Sequence, residues 1–312
     1  MPLRSPRLSR PWPEPPDWAR DGYAWPHRDA SRFVVAGDLR WHVQLAGGAE
    51  RPAAEHPTLA KPRFLLVHGT GAATHSWGGL LPLLAAHALV VAPDLPGHGF
   101  TAMPASGRLS LPGMATALDE LLRMLDYRPD IALGHSAGAA ILARLCLDGR
   151  IAPRLLVGLA AALLPLRGMA GALFSPAARL LARTSLAARI VAADAHRPGA
   201  VEQLVAHTGS RLAPEGMALY RLLVQRPGHV AAALRMMAHW DLMPLQRDLP
   251  RLSTPLLLIY GTTDRMVPPD EAARVLRLVP RATAVALAGL GHLAHEEAPE
   301  RVAAVIWRHL AP

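Results

Sequence analysis

From residue 63 onward the chain is punctuated by short apolar runs, each closed by Gly, Asp or another turn-former: RFLLVHG, ALVVAPD, DIALGHS, RLLVGLAA, TPLLLIYG and ATAVALAG. Runs this short, without polar alternation, suit strands buried on both faces, as in a parallel sheet covered by helices. Helical periodicity lies between several of them, for example in GMATALDELLRMLDY and AAILARLCL. Strands alternating with helices predict an α/β fold with a mostly parallel, doubly wound sheet. The alternation lapses between about 166 and 251, where PAARLLARTSLAARIVAADA, GAVEQLVAHTG, EGMALYRLLVQ and HVAAALRMMAHWDLM are consecutive helix-like segments. A helical insertion between two strands of such a sheet sits over the strands' carboxyl ends, where ligands bind. It is read as a lid.

Upstream, RFVVAGDLRWHVQLAGG reads as two strands joined at Gly37-Asp38, a hairpin signal, and AERPAAEHPTLAKP as a loop. Residues 1–30 hold seven prolines with Trp12, Trp18 and Trp25, which predicts an extended arm pinned by aromatic anchors. The expected division is therefore an arm (1–30), a core (31–165 and 252–312) and a lid (166–251).

Composition narrows the class. With 312 residues, 51% hydrophobic and 18% charged, the chain can bury a large core and is not a disordered protein. No uninterrupted apolar stretch reaches the ~18 residues of a spanning helix. The start, MPLRSPRLSRPWPEPPDW, lacks the apolar core of a secretory signal, so a cytoplasmic protein is expected. The formal charge is +9, nearly all from arginine, Lys61 being the only lysine. These charges are dispersed and no nucleic-acid motif accompanies them, so no nucleic-acid partner is expected; peripheral contact with an anionic membrane stays open. Cys146, the single cysteine, excludes an internal disulfide and reads as a small core residue.

The candidate chemistry begins with Gly134-His135-Ser136-Ala137-Gly138, which fits G-x-S-x-G between a strand and a helix. The glycines leave room for a strained serine, and the helix points its positive end toward it. A serine hydroxyl needs a base, and the base needs an acid to orient it. LLLIYGTTDRMVPP places Asp264 just past one strand, and ALAGLGHLAHEEAPE places His292 in a glycine-bracketed loop past the next. The order Ser136, Asp264, His292 is the one this architecture uses. Oxyanion donors are expected from the backbone N–H groups of Thr70, in the glycine-rich loop of LLVHGTGAATHSW, and Ala137.

The rival readings are weaker. His292 and His295 lack an H-E-x-x-H frame or an acidic third ligand, so no metal is expected. His295 is read as a helix-start residue facing solvent or packing, and His68 as a structural residue holding its loop. His98 and His135, inside turn motifs, are weak candidates for the base. Glu296 and Glu297 are read as favouring a helix N-terminus. Gly69-x-Gly71, with Asp94 about 20 residues on, resembles half of a dinucleotide fingerprint. Thr74 stands where the third glycine belongs, however, and no Walker A lysine is present, so no cofactor is expected. Asp94 is read as fixing the turn after its strand.

The elements HGTG, DLPGHG, GHSAG, YGTTDRMVP and GLGHLAHEEAP together resemble the α/β-hydrolase superfamily over residues 31–312. More narrowly, DGYAWPHRDASRFVVAGDLRWHVQ, HGTGAATHSW, DLPGHGFT, LSLPGMATAL and GHSAGAAI resemble the magnesium-chelatase-associated subgroup. Its members are magnesium chelatase accessory proteins encoded in the bacteriochlorophyll gene clusters of phototrophic bacteria. That resemblance implies a role near magnesium insertion into protoporphyrin, with chelatase subunits as partners and a small apolar or tetrapyrrole-like ligand. Against that background Met217, Met236, Met237, Trp240 and Met243 are lid residues that would line a pocket for a large flat ligand; the alternative is that they pack the lid on itself. Three readings of function stand: an ester-type serine hydrolase, a non-catalytic tetrapyrrole-binding or chelatase-contacting accessory protein, and a C–C hydrolase or cofactor-free peroxidase on the same triad.

Overall fold

The structure, a computed structural model, describes residues 13–49, 61–104, 106–165 and 184–311. Trp12, most of the AERPAAEHPTLAKP segment and the first part of the predicted lid, 166–183, lie outside the described residues. Eight strands form one sheet: β1 (Ser31–Ala36), β2 (Leu39–Ala46), β3 (Arg63–Val67), β4 (Leu89–Pro93), β5 (Ile131–His135), β6 (Leu155–Leu159), β7 (Leu256–Gly261) and β8 (Ala282–Leu287). Their spatial order is β1-β2-β4-β3-β5-β6-β7-β8. β2 pairs antiparallel with β1 and β4, and every other pairing is parallel. The hairpin turns at Gly37-Asp38 as expected, with Ala36 opposite Leu39 and Gly37 at φ 59°, a conformation glycine adopts without a Cβ penalty.

Successive side chains of a strand point to opposite faces, and here both faces are covered. Leu65, Val67, Ala132 and Leu156 face one core, with α3 (Leu111–Met124) and α4 (Ala137–Leu147). Phe64, Leu66, Leu133 and Val157 face the other, beneath α2 (Leu80–Ala85) and α12 (Pro299–Leu310). The helices follow from their sequence. In α3 the Ser110 hydroxyl caps the Gly113 amide at 3.3 Å, and Leu111, Met114, Ala115, Leu118, Leu121 and Leu122 recur at helical spacing on the buried side.

The N-terminal segment carries a short helix, α1 (Trp18–Asp21), and an aromatic cluster. Trp18 and Trp25 pack edge-on against Phe100, and Trp18 likewise against Phe33. Trp25 donates its indole N–H to Thr74 Oγ1 at 3.0 Å.

Between β6 and β7 the described residues form α5 (Ser185–Asp194), α6 (Ala200–His207), α7 (Pro214–Val224), α8 (Pro227–Ala238) and α9 (Met243–Asp248). The N-terminal segment also grips this insert: Gly228 donates to the Glu14 carbonyl at 3.0 Å, and Arg226 pairs with buried Asp21. After β7 come α10 (Asp270–Leu278) and, after β8, α11 (Ala294–Glu297) and α12. Cys146 lies partly buried against the main core, and burial pushes its thiol up to about 12. Among the described residues no helix is long and apolar enough to cross a membrane.

Candidate active site

Ser136 follows β5 directly and precedes α4, in a backbone conformation rare for a side-chain-bearing residue, φ 50° and ψ −116°. The surroundings hold it there. Its N–H donates to the Leu159 carbonyl at 2.9 Å, and its carbonyl accepts from Ala139 and Ala162 at 3.1 and 3.2 Å. The flanking glycines are sterically required. A Cβ on Gly134 would lie 2.4 Å from the Ala139 nitrogen, and one on Gly138 would lie 2.1 Å from the Val67 carbonyl oxygen. α4 thereby approaches the end of β3 closely, with its N-terminal positive end beneath the serine.

Asp264 follows β7 and His292 follows β8. The Asp264 carboxylate is buried, with Oδ1 accepting the Met266 and Val267 amides at 2.8 and 2.9 Å. Its Oδ2 lies 2.9 Å from His292 Nδ1. A carboxylate only accepts, so Nδ1 carries the proton and Nε2 is left as the basic nitrogen. Among the described residues no hydrogen bond joins the Ser136 hydroxyl to that imidazole. The structure therefore pairs Asp264 with His292 and places the serine on the neighbouring elbow, beside His135. The His135 ring lies 4.7 Å from that of His292, and its Nε2–H donates to the His292 carbonyl at 3.1 Å.

The loop after β3 closes against the elbow: a Cβ on Gly69 would come within 2.8 Å of His135 Nδ1 and 3.1 Å of Ser136 Cβ. Ala137 is the first residue of α4, so its amide has no carbonyl partner within the helix. Thr70 stands on the facing loop, with its hydroxyl 3.4 Å from Met236 Sδ.

The other predicted residues occupy varied positions. Met236 is fully buried, and with Trp240 belongs to the main core cluster. Met237 is partly buried, Met217 on α7 packs against a cluster with Val201 and Val205 of α6, and Met243 is 49% exposed. His68 accepts the Leu95 amide at Nε2 and donates from Nδ1 to the Gly69 carbonyl, both at 2.8 Å, which pins the loop after β3. Asp94 takes Thr74 N–H on one oxygen, and Phe100 N–H and the His42 Nδ1 proton on the other, at 2.7 to 2.9 Å. Burial alone would raise its pKa; the His42 imidazole and the Phe100 amide overcome that and hold it well below the carboxylate range. His295 is buried at 1% exposure, packed between the rings of Trp77 and His135, so it packs rather than facing solvent.

Several tethers had no sequence signal. His229, on α8 of the insert, accepts the Gly99 amide and donates to the Gly71 carbonyl, both at 3.0 Å, joining the insert to the Thr70 loop. Tyr220 donates its hydroxyl to Glu296 Oε1 at 2.7 Å; burial, reinforced by Glu297, raises the Glu296 pKa to about 8, although the tyrosine hydrogen bond lowers it. Glu297 accepts the Gly291 and Arg211 amides at 2.8 and 3.1 Å. The Thr208 carbonyl accepts both Arg265 N–H and His292 N–H, at 3.2 and 3.3 Å.

Comparison with known proteins agrees with this architecture. The chain is 39% identical over 282 residues to the Magnesium-chelatase 30 kDa subunit of Rhodobacter capsulatus, covering 90% of this chain and 95% of that one. The structure superposes on an alpha/beta hydrolase fold protein from Burkholderia ambifaria with a TM-score of 0.71 at 23% identity, covering 90% and 98% of the two chains. It also superposes on an esterase from Rhodococcus sp. ECU1013 with a TM-score of 0.68 at 23% identity and the same coverage. At such identities the two structures speak to the fold alone. The profile of the alpha/beta hydrolase family matches residues 64–305, the span that contains β3 to β8 and all three triad candidates. The chain belongs to the alpha/beta hydrolase family and is a relative of the Rhodobacter capsulatus chelatase subunit within it.

Proposed function

We propose that the protein is a serine hydrolase in which Ser136, His292 and Asp264 cleave an ester-type bond of a large apolar, tetrapyrrole-like substrate, in the service of bacteriochlorophyll synthesis. The observation that carries the chemistry is the strained Ser136 elbow, held by backbone hydrogen bonds at both its N–H and its carbonyl, beside the 2.9 Å Asp264–His292 pair. Strain of this kind costs about 1–3 kcal/mol and persists where the surroundings over-determine it, most often at reactive centres.

In the reaction His292 Nε2 takes the Ser136 proton as Oγ attacks the carbonyl carbon. The oxyanion accepts hydrogen bonds from the Thr70 and Ala137 amides, and His292 then protonates the leaving alkoxide. Water, deprotonated by the same nitrogen, attacks the acyl-enzyme, and His292 passes that proton to Ser136 Oγ as the acid is released. Asp264 stabilises the transient imidazolium and fixes its orientation. The helical insert, described over 184–251, serves as the lid, with Met236 packed against the Thr70 hydroxyl. The pathway assignment is supported by the printed name of the Rhodobacter capsulatus relative.

A fluorophosphonate probe is expected to label the native protein and to leave Ser136→Ala unlabelled; labelling that survives the substitution rules out this serine. The pathway role is read by complementing a deletion strain with Ser136→Ala and identifying the pigment precursors that accumulate. A second reading has its own support, since the serine and imidazole are not hydrogen-bonded and the relative is named as a subunit. A protein that holds a tetrapyrrole, or contacts the chelatase, without catalysis would restore pigment with Ser136→Ala and would bind porphyrin in an absorbance titration.

A further inference from the structure

We infer that the Thr208–Arg211 turn of the helical insert belongs to the apparatus that positions the catalytic base, with Ser210 and Glu297 as positioning residues for His292. The inference rests on the hydrolase reading above. Three consecutive amides surround the base, and each has a partner connected with this turn. Gly291 N–H donates to Glu297 Oε1 at 2.8 Å, His292 N–H to the Thr208 carbonyl at 3.3 Å, and Leu293 N–H to Ser210 Oγ at 2.8 Å. Glu297 closes the circuit, because its second oxygen accepts Arg211 N–H at 3.1 Å. The same Thr208 carbonyl receives the amide of Arg265, the residue after the acid, at 3.2 Å. One peptide group of the insert thus fixes the loop of the acid relative to the loop of the base.

The turn is braced on its own side as well. Thr208 Oγ1 donates to the Val205 carbonyl at 2.6 Å and accepts Ser210 N–H at 3.3 Å. Two glycines permit the approach. A Cβ on Gly291 would lie 2.4 Å from the Gly209 carbonyl carbon, and Gly209, at φ +83°, would place a Cβ 2.0 Å from the Thr263 carbonyl oxygen. Ser210 is itself buried, so its hydroxyl is committed to this contact. Displacements of about 1 Å in a catalytic group cost up to ~100-fold in rate, so a tether at the base's own backbone has kinetic leverage.

The test uses the full-length protein and a fluorophosphonate probe, with the inactivation rate constant and the probe's apparent affinity measured separately. Ser210→Ala and Glu297→Gln are expected to lower the rate constant about 10- to 100-fold while changing apparent affinity less than about twofold, and Ser210→Thr, which keeps the hydroxyl, to restore it. Folded variants that react at the wild-type rate, or that lose only affinity, overturn the inference. A second readout needs no reaction: the deshielded Nδ1 proton of the His292–Asp264 hydrogen bond, observed by proton NMR. Ser210→Ala should shift or broaden that resonance, and an unchanged resonance counts against the tether even in a protein that no probe labels. Absence of labelling in the wild type, with the resonance shifted by Ser210→Ala, would overturn the hydrolase reading and leave the tether standing.

Discussion

Ser136 lies in a conformation that the rest of the molecule must enforce, and the neighbours that enforce it are short. Gly138 allows the Val67 carbonyl to approach where a methyl group would collide, at 2.1 Å, with backbone that cannot move aside. Gly138→Ala is therefore expected to destabilise the protein by about 2–3 kcal/mol, read as a lower urea midpoint. It should also abolish probe labelling in whatever fraction stays folded, because the elbow and the amide of Ala137 move together. At this scale the sequence was informative: glycines at 134 and 138 around a serine, an aspartate past one strand and a histidine past the next all carry meaning in their immediate neighbours. The partners of Glu296 and Glu297 were not legible. Read alone, two glutamates at a helix start favour its dipole; their hydrogen bonds reach Tyr220 and Arg211, 76 and 86 residues away, and no local pattern encodes that. His295 is similar, its burial depending on Trp77 and His135 arriving from other elements.

Among the elements, the strands were the easiest to anticipate, since a sheet covered on both faces turns each strand into a continuous apolar run. The insert was legible as helices, but not in how they are fastened. His229 gives no sign in HVAAALRMM that it spans the Thr70 loop and the Gly99 turn, and Met243, expected in a pocket, stands half-exposed. The N-terminal arm is a second fastening. Trp25 is buried beside Leu223 of α7, Phe100 and Ala73, and bonds Thr74. Trp25→Ala should cost about 3–5 kcal/mol, through lost burial and a cavity, visible in thermal or urea unfolding. Amide exchange should speed up in α7 before it does in β5, since the helix packs against this cluster and the strand does not.

Over the whole molecule the buried histidines set the response to acid. Burial lowers the pKa of His68, His75, His98, His135, His229 and His295, with His229 near 4 and His75 and His295 near 3, against 6.5 in the open chain. Between those limits the unfolded chain binds more protons than the folded one. The stability these histidines contribute is complete above pH 6.5 and is lost as pH falls toward 4 and below. Each contributes a slope of up to about 1.4 kcal/mol per pH unit in that window. Glu296 has the opposite sign: raised from 4.5 to about 8, it stabilises fully below pH 4.5 and loses that contribution as pH rises through 8. Denaturation midpoints measured from pH 4 to 9 should therefore peak near pH 6.5, fall steeply on the acid side and gently on the alkaline side. Glu296→Gln should flatten the alkaline limb and, because the carboxyl also opposes the histidines between pH 4.5 and 6.5, steepen the acid one; an alkaline limb that persists in this variant would assign it to another group.

The grip of the arm on the insert also orders events in time. Asp21 precedes Arg226 by 205 residues, so during synthesis the earlier-made partner must wait, its carboxylate and indoles still in water, until the insert has left the ribosome. Of the two partners, the one born first is seated only when the second arrives.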